Sequence, residues 1–235
     1  MDKKVIEKII NTIIQSKEIS VIKCSRTTLR KKDKEFIQHF EEIRNTFPKD
    51  RKERKELYKK HVEVQLKHKY TENQRKAAEY WGNEGYWKIN GKIYNTNYYK
   101  KKKEHGLIDV ERMDKIIKTL QSAITDSPMT PHNTVTVRTG HWEKGHKTGE
   151  VIVQKGFAST SYTDRMDASD TESEYSYEIT YYICENTTRG LVLTEKQFPD
   201  CLPEEELLLG RNTRQYVLEQ DDDAQTVSLL ILPDM

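Results

Sequence analysis

The stretch Glu150-Val-Ile-Val-Gln-Lys-Gly-Phe-Ala-Ser-Thr-Ser161 decides how the chain is read. It begins as a short β-like run, Val151 to Val153, passes through Gly156 and Phe157, and ends in Ser159-Thr160-Ser161. Taken alone, three hydroxyl residues at a strand end are a solvated terminus, because exposed polar residues are the default. Its neighbours change the reading. Similar β-like runs lie on both sides: 134–138, 175–183, 190–194, 205–209, 214–219 and 226–232. Gly, Asn and Asp clusters separate them, the usual punctuation of strands. Asp221-Asp222-Asp223 reads as a hairpin loop.

Upstream the texture is helical. Val5, Ile6, Ile9, Ile10, Ile13 and Ile14 recur at helical spacing, as do Phe36, Ile37, Phe40 and Ile43. A Lys- and Glu-rich helix is expected through Leu57 to Leu66. Thr71 is a candidate N-cap for a helix over 71–81. Residues 109–125 carry Met113, Ile116, Ile117, Leu120 and Ile124 on one face. Ser127-Pro128 and Thr130-Pro131 then end the helical region. Helices followed by strands predict an α+β fold rather than a parallel βαβ sheet.

Composition bounds the class. The chain has 235 residues, and its 34% hydrophobic content with 21 aromatic residues suffices for a globular core. No run approaches the 18 or so apolar residues of a membrane span. Three scattered cysteines, Cys24, Cys184 and Cys201, fit reduced thiols and a cytoplasmic location, and no zinc spacing is present. Residues 1–105 carry 28 Lys/Arg against 15 Asp/Glu, and residues 106–235 carry 12 against 23. Such asymmetry suits solvated helix faces, intramolecular attraction between the two halves, or a docking surface for an acidic partner or nucleic acid on the basic half.

Three features fall in order: Arg138 before Thr139-Gly140, the Ser159-Thr160-Ser161 cluster, and Glu204-Glu205-Glu206 opening Leu207-Leu208-Leu209. Strand alternation is expected to put Glu204 and Glu206 on one face and Glu205 on the other. Two carboxylates so placed repel each other and lose solvation unless a cation or donors stabilise them.

This ordered set resembles the mono-ADP-ribosyltransferases of the Arg…Ser-Thr-Ser…Glu-x-Glu type, which include bacterial binary-toxin catalytic subunits and phage-encoded transferases. Tyr86-Trp-Lys-Ile-Asn90 is similar to that family's Tyr-x-x-Ile-Asn helix. The likeness covers residues 66–235 and leaves residues 1–65 as a basic helical extension. It departs in two places. Val137 stands where an aromatic usually precedes the arginine, and Tyr94 or Lys92 stands in for a second arginine.

The resemblance implies N-terminal helices followed by two packed, mostly antiparallel β-sheets. It implies NAD as substrate without a metal, and transfer of ADP-ribose to an arginine of a target protein with release of nicotinamide. Glu206 would stabilise positive charge developing on the ribose, as carboxylates do in glycoside hydrolysis. Ser159 would hold Glu206, and Glu204 would orient or deprotonate the acceptor. Arg138 would bind the pyrophosphate, since a guanidinium fork suits phosphate oxygens. Gly140, Ser161, Asn90 and Tyr86 would complete the NAD site. Tyr175 or Tyr177 would cover nicotinamide, and Phe198 would touch the target. Three alternatives stay open: an NAD glycohydrolase, a transferase with a nucleic-acid acceptor, and an inactive binding module using the basic helices.

Overall fold

The computed structural model describes residues 21–22, 24–142, 145–163, 176–201 and 205–233. The isoleucine stripe at 5–14, Tyr175 and Glu204 lie outside them. The described helices are α1 (Lys31–Ile43), α2 (Arg51–Gln65), α3 (Glu72–Tyr80), α4 (Tyr86–Tyr94), α5 (Asn97–Glu104) and α6 (Val110–Asp126). The strands are β1 (Val21–Ile22), β2 (Cys24–Thr27), β3 (Thr134–Trp142), β4 (Val151–Gln154), β5 (Ala158–Ser161), β6 (Ser176–Ile183), β7 (Gly190–Leu193), β8 (Glu206–Leu209), β9 (Thr213–Asp221) and β10 (Thr226–Ile231). Helix and sheet are both present, as expected of an α+β chain, but β1 and β2 stand ahead of the described helices, so helices followed by strands holds only from α1 onward.

Side chains start the helices. Thr71 accepts from the Gln74 amide and completes a capping box with Gln74. Asp109 caps α6 by accepting from the Arg112 amide. α6 then buries Met113, Ile117, Leu120, Ala123 and Ile124, the apolar stripe of its sequence.

The strands follow one hydrogen-bonded path, β2-β4-β9-β10-β6-β3-β5-β8-β7, with β1 added beside β3. Pairing is antiparallel except for β10 with β6 and β1 with β3. The path is narrowest between β3 and β5, where Val137 opposite Ser161 is the pair that joins the two arms. The arms face each other across a core that draws Ile152, Ile179, Val217 and Leu229 from one and Ala158, Leu207 and Leu209 from the other. A second core lies between the β5-β8-β7 arm and helices α3 and α6. A third lies under α1, where Phe40 and Phe47 pack edge-on against Tyr182.

β1 and β2 have no counterpart in the sequence reading. β2 is four residues, Cys-Ser-Arg-Thr, with an almost wholly exposed burial pattern, so it carries no apolar alternation. Its order comes from pairing with β4 at the sheet edge. Contacts also cross the expected boundary at 65/66. Gln65 donates to the Val192 carbonyl and accepts from its amide, 2.5 and 2.7 Å, and Tyr58 packs on Tyr162. α1 is fixed by Asp33, fully buried, which Arg214 grips with two 2.7 Å bonds. The Arg30 amide adds a third donor at 2.7 Å. Together these hold the Asp33 carboxyl well below the ordinary carboxylate range, with the Arg214 hydrogen bonds the largest cause.

Candidate active site

β8 begins at Glu206, which lies opposite Ser161 of β5 and Leu193 of β7. Directly opposed residues of a ladder share a face, so Glu206, Ser161 and, two residues back, Ser159 project together. Ser159 sits opposite Leu208 and is half-buried, while Ser161 is buried. The Glu206 side chain is 5% exposed. A carboxylate so enclosed needs donors, because an unpaired buried charge is costly. Trp81 supplies one, its indole Nε1–H donating to Glu206 Oε1 at 3.1 Å.

Trp81 comes from a π-helical turn, Trp81–Gly85, between α3 and α4. Such turns are rare and occur frequently at functional sites. The indole is 3% exposed and packs edge-on against Phe157 and Tyr86, at 5.5 and 6.3 Å. In the sequence Trp81 reads only as the end of a helix. The available signal was an indole, a donor-only group, next to Gly82 in a helix otherwise rich in charge.

The sequence expectation for Glu204 and Glu206 meets a local break. Glu205 has φ of 52°, in the left-handed region, so the extended geometry begins only after it. Glu204 lies outside the described residues. Glu205 instead reaches the α2 side, bonding Thr163 and pairing with Lys55 at 3.2 Å. Its carbonyl accepts from the Tyr162 amide, and Arg54 of α2 donates to the Tyr162 carbonyl.

The expected NAD-side residues form a second group. Arg138 and Gly140 alternate with Val137 and so project from the other face of β3 from Ser161. Arg138 is half-buried and makes no ion pair or side-chain hydrogen bond among the described residues. The neighbouring Thr136 and Tyr181 hydroxyls, opposite each other on β3 and β6, are buried without partners there. Tyr181 is pushed well above the ordinary phenol value, mainly by burial, with Arg138 opposing. A guanidinium with no protein anion among the described residues, beside two unspent hydroxyls, is a setting suited to an anion.

α4 runs between the groups. Asn90 clasps the Phe157 backbone, donating to its carbonyl and accepting from its amide, both at 3.1 Å. The Tyr94 hydroxyl accepts from the Gly156 amide at 3.0 Å, and Tyr94 feels the charge of Arg138. The turn between β4 and β5 requires glycine here, since a Cβ on Gly156 would stand 2.6 Å from the Tyr94 hydroxyl oxygen and 2.7 Å from Asn90 Oδ1. The path from Arg138 through Tyr94, Asn90 and Phe157 ends at Trp81 and Glu206.

Other expected residues are placed differently. Tyr86 is half exposed at the mouth of this region. Lys92 is held by Asp114, 2.5 Å, and by the Val110 carbonyl, so Tyr94 rather than Lys92 is beside Arg138. Tyr177 is buried and donates to Asp222 at 2.7 Å. Phe198 is fully buried against Tyr70, so it is a core residue and not a contact for a target. Among the described residues no group of three His, Cys, Asp or Glu could hold a metal ion, and no helix is long and apolar enough to cross a membrane.

Comparison with protein-family models and with curated proteins finds no match. Solved structures do match. C3stau2 from S. aureus, solved with NAD, superposes with a TM-score of 0.58 at 15% identity, covering 80% of this chain and 98% of that one. The ADP-ribosyltransferase Vis in complex with agmatine gives 0.56 at 15%, covering 80% and 87%. Plx2a, an ADP-ribosyltransferase toxin from Paenibacillus larvae, gives 0.53 at 16%, covering 76% and 96%. At this identity the likeness is one of fold: the chain folds as these bacterial ADP-ribosyltransferases do.

Proposed function

We propose that the chain is a mono-ADP-ribosyltransferase that uses NAD and modifies an arginine of a target protein. The observation that carries the reading is Glu206, an enclosed carboxylate held by an indole donor at the start of β8, beside the serines of β5. NAD supplies an N-glycosidic bond whose cleavage frees nicotinamide and leaves positive charge on the ribose. Glu206 stabilises that charge, and its low exposure makes the interaction stronger than it is in water. Ser159 and Ser161 hold the carboxylate's orientation. Arg138 binds the pyrophosphate, supported by the lack, among the described residues, of a protein anion for it and of partners for the Thr136 and Tyr181 hydroxyls. Asn90 fixes the Gly156-Phe157 turn, so that backbone rather than side chain borders the cleft. Gly140 and Tyr86 border it on β3 and α4. Glu204 takes the proton from the acceptor guanidinium as its nitrogen bonds to the ribose carbon. The chemistry is assigned to residues 66–235, and the basic segment 1–65 is assigned to the partner.

The test uses labelled NAD, a cell lysate and agmatine. Label on protein bands, reduced by agmatine with formation of ADP-ribosyl-agmatine, is the expected result. Nicotinamide release without label on either acceptor would overturn the arginine assignment, free ADP-ribose then marking water as the acceptor and labelled nucleic acid marking a nucleic-acid acceptor.

A further inference from the structure

α4 and α5 build a surface that the proposed chemistry does not use. α5 is Asn-Tyr-Tyr-Lys-Lys-Lys-Lys-Glu, capped by the Thr96 hydroxyl accepting from the Tyr99 amide. Cations in the last turn of a helix suit its dipole, which accounts for Lys101 to Lys103 on their own. It does not account for the rings beside them. Trp87 of α4 and Tyr98 of α5 meet with centroids 5.0 Å apart. Lys88 lies 4.8 Å over the Trp87 ring and Lys102 lies 5.5 Å over the Tyr98 ring. Lys88 also lines a groove between α3 and α6 with Lys76, Arg112 and Lys115, whose acids are Glu79 and Asp200. Lys76 is taken up by Glu72. Among the described residues no ion pair engages Lys88, Arg112, Lys115 or any of Lys100 to Lys103.

We propose that this α4–α5 face, continued by the groove, binds single-stranded nucleic acid. The ligand must offer negative charge at the lysines and flat π-faces to the rings. An acidic peptide offers charge without the rings. A duplex offers charge with its bases stacked inside. A single strand offers both, its phosphates to the cations and its bases to Trp87 and Tyr98 in place of the lysines that now cover them. This inference stands apart from the NAD reading, and its test needs no NAD.

The full chain is titrated into fluorescein-labelled 12-nucleotide RNA and DNA at about 50 mM salt, followed by anisotropy. Saturable micromolar binding is expected, with log affinity falling against log salt by about 0.7 per phosphate engaged. Lys100→Glu/Lys101→Glu/Lys103→Glu changes exposed side chains only and should weaken binding at least tenfold. Trp87→Leu, or Tyr98→Leu should the first not fold, should weaken it about tenfold by loss of stacking. Absence of saturable binding, full retention in the triple variant, or equal displacement by polyglutamate and by unlabelled oligonucleotide would each overturn the proposal.

Discussion

Replacing Trp81 by Phe deletes one N–H donor and keeps most of a ring that is 3% exposed. The deleted bond is the 3.1 Å contact to Glu206 Oε1. A hydrogen bond to a charged group is worth about 1.5–3 kcal/mol. With a factor of ten for each 1.36 kcal/mol, the loss in kcat is roughly 10- to 150-fold if the bond serves the transition state. The proposed function assigns NAD binding to other residues, so KM should change little, the pattern of an interaction made in the transition state. Nicotinamide release measured against NAD concentration gives both constants. Trp142→Phe is the control. It deletes the indole bond to Gln220, also 3.1 Å, away from Glu206, and should stay within about twofold of the parent. Trp81→Phe within twofold of the parent would refute the role given to the indole. So would a loss confined to KM.

Three further outcomes follow from the packing. Asp33→Ala leaves Arg214 without its anion in a buried pair, which should cost about 3–5 kcal/mol in urea denaturation. Because the Asp33 carboxyl is depressed in the folded state, its contribution is complete above the ordinary value near 4 and fades as pH falls below it, so parent and variant curves converge on acidification. His61 is buried, contacts the Tyr162 hydroxyl at 2.6 Å and is lowered to about 4, first of all by burial. The unfolded chain therefore binds the extra proton first, stability falls as pH drops from about 6.5 toward 4 by up to about 3 kcal/mol, and His61→Gln flattens that slope. Gly156→Ala drives a methyl into Tyr94 and Asn90, so it should lower the melting temperature and raise the NAD KM together; an unchanged KM would separate that turn from the NAD site.

Much of the frame could be read in the residues because the signals were local. The α6 stripe, the Thr71 cap and the β9–β10 hairpin around Asp221 each depend on a few neighbouring side chains. β6 and β10 alternated visibly, although nothing local indicates that they pair in parallel. What escaped depends on distance. β2 is polar and ordered by its partner. Asp33 and Arg214 are 181 residues apart and look like ordinary surface charges until they meet. The left-handed backbone at Glu205 was hidden inside a run of three glutamates, where alternation suggested a simple strand. Phe198 sat in a loop-like context and reads as exposed, but the second core needs its ring. Trp81 shows the same limit at the site itself, since only the folded chain brings an indole at 81 to a carboxylate at 206.

The most direct measurement is NAD turnover by the parent chain and by Glu206→Gln, with folding checked by matching thermal melts. The substitution keeps size and removes the charge that the reading makes essential. The account predicts nicotinamide release by the parent and a loss of about 10²–10⁴ in kcat for the variant, the usual scale for a positioned catalytic group. A folded Glu206→Gln chain that releases nicotinamide as fast as the parent would contradict it, as would a parent chain that does not turn over NAD at all.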